Sequence, residues 1–313
     1  MICRFYPKAA EIFWSGIIVM TNLLAQIING LSVGSIYALV ALGYSMVYGI
    51  VKLINFAHGD IIMVAAYMML IGMVMLGVPL WVCILACMVL TAVVGILVER
   101  LAYERLLKKG VPRISLLITA IGVSTFLQNL YQVLFGSSAR SVPTIIPAGS
   151  VQVFGVSISY TMIITIAAMV VMMILLQLFV NRTKMGKAMR AVSEDPGAAS
   201  LMGINRGKMV AITFAVGSLL AAVGAVLYCA TYKQITPFMG SMLGLKCFVA
   251  AVLGGIGSIP GAMTGGLIMG VAESLTKGYI SSTFADAVVF GILILVLIFR
   301  PQGLMGRRVS DKV

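Results

Sequence analysis

Apolar side chains run along this chain in long stretches separated by a few short polar segments. The stretches cover about 12–30, 32–51, 61–78, 80–98, 114–135, 159–180, 209–230, 243–275 and 286–299. Most are close to the roughly 20 residues a helix needs to cross the hydrocarbon core of a bilayer. The pattern predicts an all-α, polytopic membrane helix bundle.

The polar breaks orient it. Segment 99–113 carries Arg100, Arg105, Lys108, Lys109 and Arg113, and segment 181–208 carries Arg182, Lys184, Lys187, Arg190, Arg206 and Lys208. The C-terminal stretch carries Arg300, Arg307, Arg308 and Lys312. Lys and Arg accumulate in cytoplasmic loops, so all three segments are expected on the cytoplasmic side. Segment 136–158 holds one charge, Arg140, and is expected outside.

Parity refines the count. Between the cytoplasmic segments 181–208 and 300 onward the chain must cross an even number of times, yet three apolar runs lie there. The misfit is 243–275, which is broken by GGIGSIPG at Gly254–Gly261. Glycine and proline together end a helix. This run is therefore expected to be a re-entrant pair of half-helices, entering from outside and returning there. Irregular backbone at that depth is tolerated where it is buried in protein or lines a cavity. The expectation is thus about eight spans plus this pair. Lys52–Gly59 falls on the cytoplasmic side, and a very short external link falls near Gly30–Ser35. Basic residues then divide 18 inside to 4 outside, with Arg4 and Lys8 counted inside. One transmembrane domain covers 20–307 and a cytoplasmic tail 308–313. Residues 1–19 are either an N-terminal extension, with Met20 as the start, or the beginning of the first span.

Composition sharpens the class. The 313 residues are 61% hydrophobic and 10% charged, against roughly 25% charged in average soluble domains. A soluble enzyme and an extended disordered chain are both excluded. The net charge of +13 follows from basic cytoplasmic loops beside membrane lipid and requires no nucleic acid. Five cysteines are scattered and form no C-x-x-C pair. Cys83 and Cys87 share a helix face and are expected to pack in the core. One histidine excludes histidine-cluster metal chemistry, and no metal site is expected.

Four features could carry function. Glycines recur at intervals of four: Gly30 and Gly34, then Gly257, Gly261 and Gly265, then Gly266 and Gly270. This spacing lets helices approach closely in lipid. It fits either ordinary packing or a movable seam beside a pathway, to which Asn29, Asn55 and Pro260 would also belong. GGIGSIPG lacks the lysine of a phosphate-binding loop, and no G-x-x-x-x-G-K-[ST] occurs, so the chain carries no visible ATP site.

The second feature is the cytoplasmic segment Gly186–Lys208. After Glu194, Asp195 is placed to cap a short helix and Pro196 suits its first turn. Gly203 is placed to end it. That helix, about two turns long, holds Gly197, Ala198 and Ala199 and carries Leu201, Met202 and Ile204. Large apolar side chains on a charged loop suit a groove in another protein, or a position on the membrane surface.

Third, Asn55-Phe56-Ala57-His58-Gly59-Asp60 ends a span. His58 beside Asp60 suits a proton relay, and equally a cap in which Asp60 starts the helix from Ile61. Fourth, Asp60, Glu99, Glu273 and Asp286 all lie near ends of runs, so no acid or base is placed in mid-membrane, the usual mark of ion coupling. Asn22, Gln26, Asn29, Gln128, Asn129 and Gln132 supply neutral polarity instead. Glu273 and Asp286 would flank an external mouth.

Several of these segments resemble one family. Asn29–Asp60 (NGLSVGSIYALVALGYSMVYGIVKLINFAHGD) is similar to the opening of permeases from branched-chain amino acid ABC importers, the LivH-type subunit above the LivM-type. Arg182–Asn205 resembles that family's ATPase-coupling loop. Gly197-Ala198-Ala199 followed by Gly203 matches the spacing of the E-A-A-x-x-x-G signature, with Gly197 in place of the glutamate. Ala250–Glu273 and Arg300–Arg307 also look like family segments. The resemblance implies a LivM-like second permease, two cytoplasmic ATPase subunits that bind the ATP, and a periplasmic or lipid-anchored binding protein. The location implied is the bacterial inner membrane and the cargo leucine, isoleucine or valine. Relatives carry another amino acid, an amide or urea. The rival class is an ion-coupled secondary transporter working alone. A membrane enzyme would need a catalytic set that one histidine does not supply.

Overall fold

The computed structural model describes residues 6–153 and 155–306, with side chains from residue 19 onward except at 113 and 153. Helix α1 spans Tyr6–Val51 and α2 spans His58–Leu70, extended by a π turn at Ile71–Met75. Helix α3, Leu80–Val98, passes through a second π turn, Glu99–Tyr103, into α4, Glu104–Lys108. Next come α5, Arg113–Phe135, then strands β1, Arg140–Ser141, β2, Ser150–Val153, and β3, Val156–Ser159. Helices α6, Tyr160–Arg182, α7, Lys184–Glu194, α8, Pro196–Leu201, and α9, Arg206–Tyr232, follow. Strand β4, Gln234–Ile235, leads to α10, Met239–Gly254, α11, Ile259–Tyr279, and α12, Ala285–Phe299. The protein is a multi-pass membrane protein. Among the described residues, six helices are long and apolar enough to cross a bilayer, and α12 is apolar but only 15 residues long.

The first two apolar runs are one helix, so no external link exists near Gly30–Ser35 and the span count falls by one. The reason is packing. Gly30 lies on Gly270 and Val271 of α11, and Gly34 on Gly266 and Leu267. A helical glycine costs about 1 kcal/mol against alanine, but in lipid it allows the backbones to touch. Asn29-Gly30 is therefore a notch in a continuous helix. The N-terminal end of α1 consequently leaves on the side opposite Lys52, so Lys8 no longer belongs to the basic side. Arg4 lies outside the described residues. With Arg4 set aside and Lys8 moved across, 16 basic residues face 5.

The expected broken pair is present. Helices α10 and α11 meet at 119°. Gly255 and Gly257 adopt φ of +106° and +93° in the break, a region that disfavours any residue with a Cβ. Ser258 caps α11, its Oγ accepting from Gly261 N at 3.2 Å, and Pro260 sits in the first turn. The pair reaches deeper than two half-helices. Gly257 lies against Gly49 near the end of α1, and Leu304 and Met305 donate to the carbonyls of Leu253 and Gly254. The 21 residues of α11 make a helix about 31 Å long.

The bundle has an inner and an outer layer. Of the α9 span window 72% is buried, and of α2 67%, against 22% for α3 and 17% each for α5 and α6. Helices α1, α10 and α11 pack with α2 and α9 around Leu39, Leu42, Ile62, Leu220 and Ala250. At the end away from the basic loops, β1 pairs antiparallel with β4, Arg140 opposite Ile235, and β2 with β3. The segments 136–158 and 231–242 are thereby joined there.

Gly34→Leu places a side chain on the backbone of α11, an overpacking expected to cost about 1–3 kcal/mol. Its melting temperature and monodisperse yield in detergent should fall. Gly291→Ala, where a Cβ meets nothing within 4 Å, should leave both unchanged.

Candidate functional site

The segment between α6 and α9 is a rigid bracket built from caps. Thr183 closes α6 and opens α7, its Oγ1 accepting from Gly186 N at 3.0 Å. Helix α7 turns Gly186, Met189 and Val192 inward. Asp195 leaves the helical region and caps α8, its Oδ1 accepting from Gly197 N at 2.8 Å and Ala198 N at 3.0 Å. Pro196 occupies the first turn of α8, where its missing N–H has no helical partner to lose. Glu194, at the end of α7, is exposed. Gly203 takes φ +81° just after α8, and Asn205 caps α9 by accepting from Lys208 N at 3.0 Å.

Ala199 is buried beneath α8, whereas Leu201 is 90% exposed and Met202 83% exposed. Two apolar side chains thus stand outward on a helix fixed at both ends. Ile204 does not join them. It is half-buried against the core, and its N–H bonds Ala199 O at 3.0 Å. The chain folds Ile204 inward because Gly203 reverses its direction. Helix α8 stands between two clefts. One, of about 370 Å³, runs past Glu99, Lys108, Ile204 and Arg206. The other, of about 300 Å³, runs past Lys52, Val192 and Pro196. The Glu104–Lys108 pair at 2.6 Å edges the first, but an exposed pair of this kind contributes little.

The candidate pathway residues do not form one site. Gly30 and Gly34 belong to the α1–α11 seam. Gly261 and Gly265 belong to the α10–α11 seam, against Gly254 and Ala250. Gly257 lies in the break, where its N–H bonds Ser45 Oγ at 2.9 Å. Pro260 is exposed. Asn29 is half-buried beside the first seam. Asn55 is buried elsewhere, accepting from Tyr103 Oη at 2.8 Å and so tying the α1–α2 link to the second π turn.

Asp60 does not cap α2. That helix begins at His58 with no side-chain cap, and Asp60 Oδ1 accepts from Gln128 Nε2 of α5 at 3.0 Å. His58 packs edge-on against Tyr44, with ring centroids 4.7 Å apart. Three of the six neutral amides, Gln26, Gln128 and Asn129, act as fastenings between and within helices. Gln26 Oε1 accepts from Ser274 Oγ at 2.9 Å, and Asn129 Nδ2 bonds Thr125 O at 2.8 Å.

One constellation went unread in the sequence. Lys246, counted there among the four outer basic residues, lies within α10 and is 12% exposed. Its Nζ lies 3.0 Å from Glu273 Oε1 and 2.6 Å from Asp286 Oδ1. Glu273 is 2% exposed and also accepts from Lys277 Nζ at 2.6 Å and, through Oε2, from Tyr37 Oη at 2.7 Å. Five side chains from α1, α10, α11 and α12 therefore meet in one network. Glu273 and Asp286 do not stand free at a mouth. The signal available was weak: Lys246 interrupts an apolar run, which calls for a buried partner.

Residues 26–297 match the family described as the permease component of the branched-chain amino acid transport system. The chain is 44% identical over 302 residues to the high-affinity branched-chain amino acid transport system permease protein BraD of Pseudomonas aeruginosa, covering 93% of this chain and 98% of that one. It is 41% identical over 302 residues to the permease protein LivH of Escherichia coli K12, covering 93% and 97%. A probable branched-chain amino acid transport permease from Methanocaldococcus jannaschii is 27% identical over 286 residues, covering 87% and 89%.

Asp195→Ala removes the acceptor of two α8 amides and should cost about 1 kcal/mol locally. Hydrogen exchange at Gly197 and Ala198 should quicken several-fold while α9 amides keep their protection.

Proposed function

Because the chain belongs to the family of permease components of branched-chain amino acid transport systems, we propose that it works as the membrane subunit of an ATP-driven importer and that α8 is where its ATPases act. The observation that carries this reading is the exposure of Leu201 and Met202 on a doubly capped helix at the basic end. A rigid short helix transmits a push that a flexible loop would absorb. Glu194, Asp195, Pro196, Gly197, Ala198 and Ala199 set its position, and Gly203 and Ile204 return the chain to α9.

The basic end is cytoplasmic on this reading, in an inner membrane. Two ATPase subunits bind ATP there, since this chain has no phosphate-binding loop. A second permease completes the pathway. An external binding protein delivers leucine, isoleucine or valine to the far end, where β1 to β4 lie. ATP binding moves the ATPases, α8 follows, and the bundle changes which side it opens to. ATP favours one state only by binding it better than the other.

The membrane acids Asp60 and Glu273 favour one other reading, an ion-coupled carrier. It gives no role to the apolar face of α8. Burying Leu and Met side chains contributes about 1.5–3 kcal/mol each, so losing both weakens docking by at least about 100-fold. Leu201→Asp with Met202→Asp should abolish co-purification of the ATPases and ATP-dependent leucine uptake in proteoliposomes. The permease should keep its melting temperature, since both side chains are already in solvent. Uptake by this chain alone under an ion gradient would replace the importer reading with the carrier.

A further inference from the structure

Three of the four ion pairs among the described residues belong to the Lys246 network, and the fourth, Glu104–Lys108, lies at the basic end. The network is unevenly tied. Glu273 has three donors, Lys246, Lys277 and Tyr37. Asp286 has one among the described contacts, Lys246, and is 42% exposed. The unevenness sets which bond opens. Leaving a buried charge without a partner costs about 3–5 kcal/mol in typical cases. Drawing Asp286 away does not do so. Lys246 keeps Glu273, and Asp286 meets water.

A ligand that brings an ammonium to Asp286 and a carboxylate to Lys246 exchanges like for like. Few small molecules carry both charges close together, and an α-amino acid zwitterion does, with its two charged groups on one carbon. The pair sits where α12 begins, away from α8. Tyr279, Ile280 and Phe284 expose apolar surface in the adjoining turn, suited to a branched aliphatic side chain. Resting on the permease reading above, we infer that the Lys246–Asp286 pair is a zwitterion-exchange site for the cargo, with Glu273 as the anchor that holds Lys246 while Asp286 is released. Asp286 takes the cargo ammonium and Lys246 its carboxylate. Displacing Asp286 also frees the first turn of α12, a helix that otherwise buries only Ala285 and Val289.

The test uses the assembled permease–ATPase complex in nanodiscs, without the binding protein. Millimolar leucine should raise the melting temperature of the unmodified complex by at least about 2 °C, the size expected with ligand at a few times its Kd. The half-charged analogues 4-methylpentanoate and 3-methylbutylamine should not. D286N and K246M should each abolish the leucine shift, and D286N should cut ATP-driven uptake at least tenfold. An equal shift with either analogue, a shift kept in D286N, or no shift with leucine would overturn the inference. The analogue comparison needs no variant and so survives misfolding of either one. If the unmodified complex imports leucine with ATP yet shows no shift, the exchange site alone fails. If it imports nothing with ATP, the importer reading fails first.

Discussion

Inside a bilayer, a lipid tail solvates an apolar helix about as well as another helix does. The hydrophobic effect therefore gives helices little reason to associate. Close backbone approach must supply it, and in this chain that approach runs through glycine. Gly30 and Gly34 of α1 touch Gly266 and Gly270 of α11, Gly254 touches Gly261 across the bent pair, and Gly59 touches Gly240 and Gly244. A Cβ at most of these positions would strike backbone, which has no rotamer to turn away. The inner bundle, the continuity of α1 and the sharp α10–α11 bend all depend on these contacts.

That dependence explains how much of the molecule was legible in its residues. Run lengths and basic loops gave the helical class, the broken pair and the bracket at 181–208, because hydropathy and charge respond directly to the bilayer. The four-residue spacing of Gly30 and Gly34 was rightly read as close helix packing, but the external link near Gly30–Ser35 was misread, since Asn-Gly is a turn signal in water and a packing notch in lipid. The local residues cannot say which solvent surrounds them. Ile204 was misplaced for a different reason. Its partner is the core beneath α8, and only the reversal at Gly203 decides that it faces inward.

The charge network was the least legible part. Lys246 and Glu273 are 27 residues apart and Asp286 lies a further 13 along, so no window of sequence holds them together. Each alone reads as a charge near the end of a run. Only the fold of the bent pair against α12 brings them within 3.0 Å. The same holds for Asp60, whose partner Gln128 is on another helix.

These features constrain how the two ends can communicate. The break at Gly255–Ser258 is fixed at the basic end by Gly49, Ser45 and the 304–305 backbone. The far ends of α10 and α11 are fixed by Lys246, Glu273 and Tyr37. On the proposed importer reading, motion along the glycine seams would be sliding rather than separation, because pulling α1 from α11 would forfeit the contacts that hold them and offer only lipid in return. Small sliding of packed helices is a recognised form of conformational change. A push on α8 reaches α9 directly through Asn205, and α9 is the most buried of the spans. The outer helices α3, α5 and α6 need not move with it. The ion pair most easily rearranged by such sliding is the one with the fewest ties, Lys246 to Asp286, at the end farthest from α8.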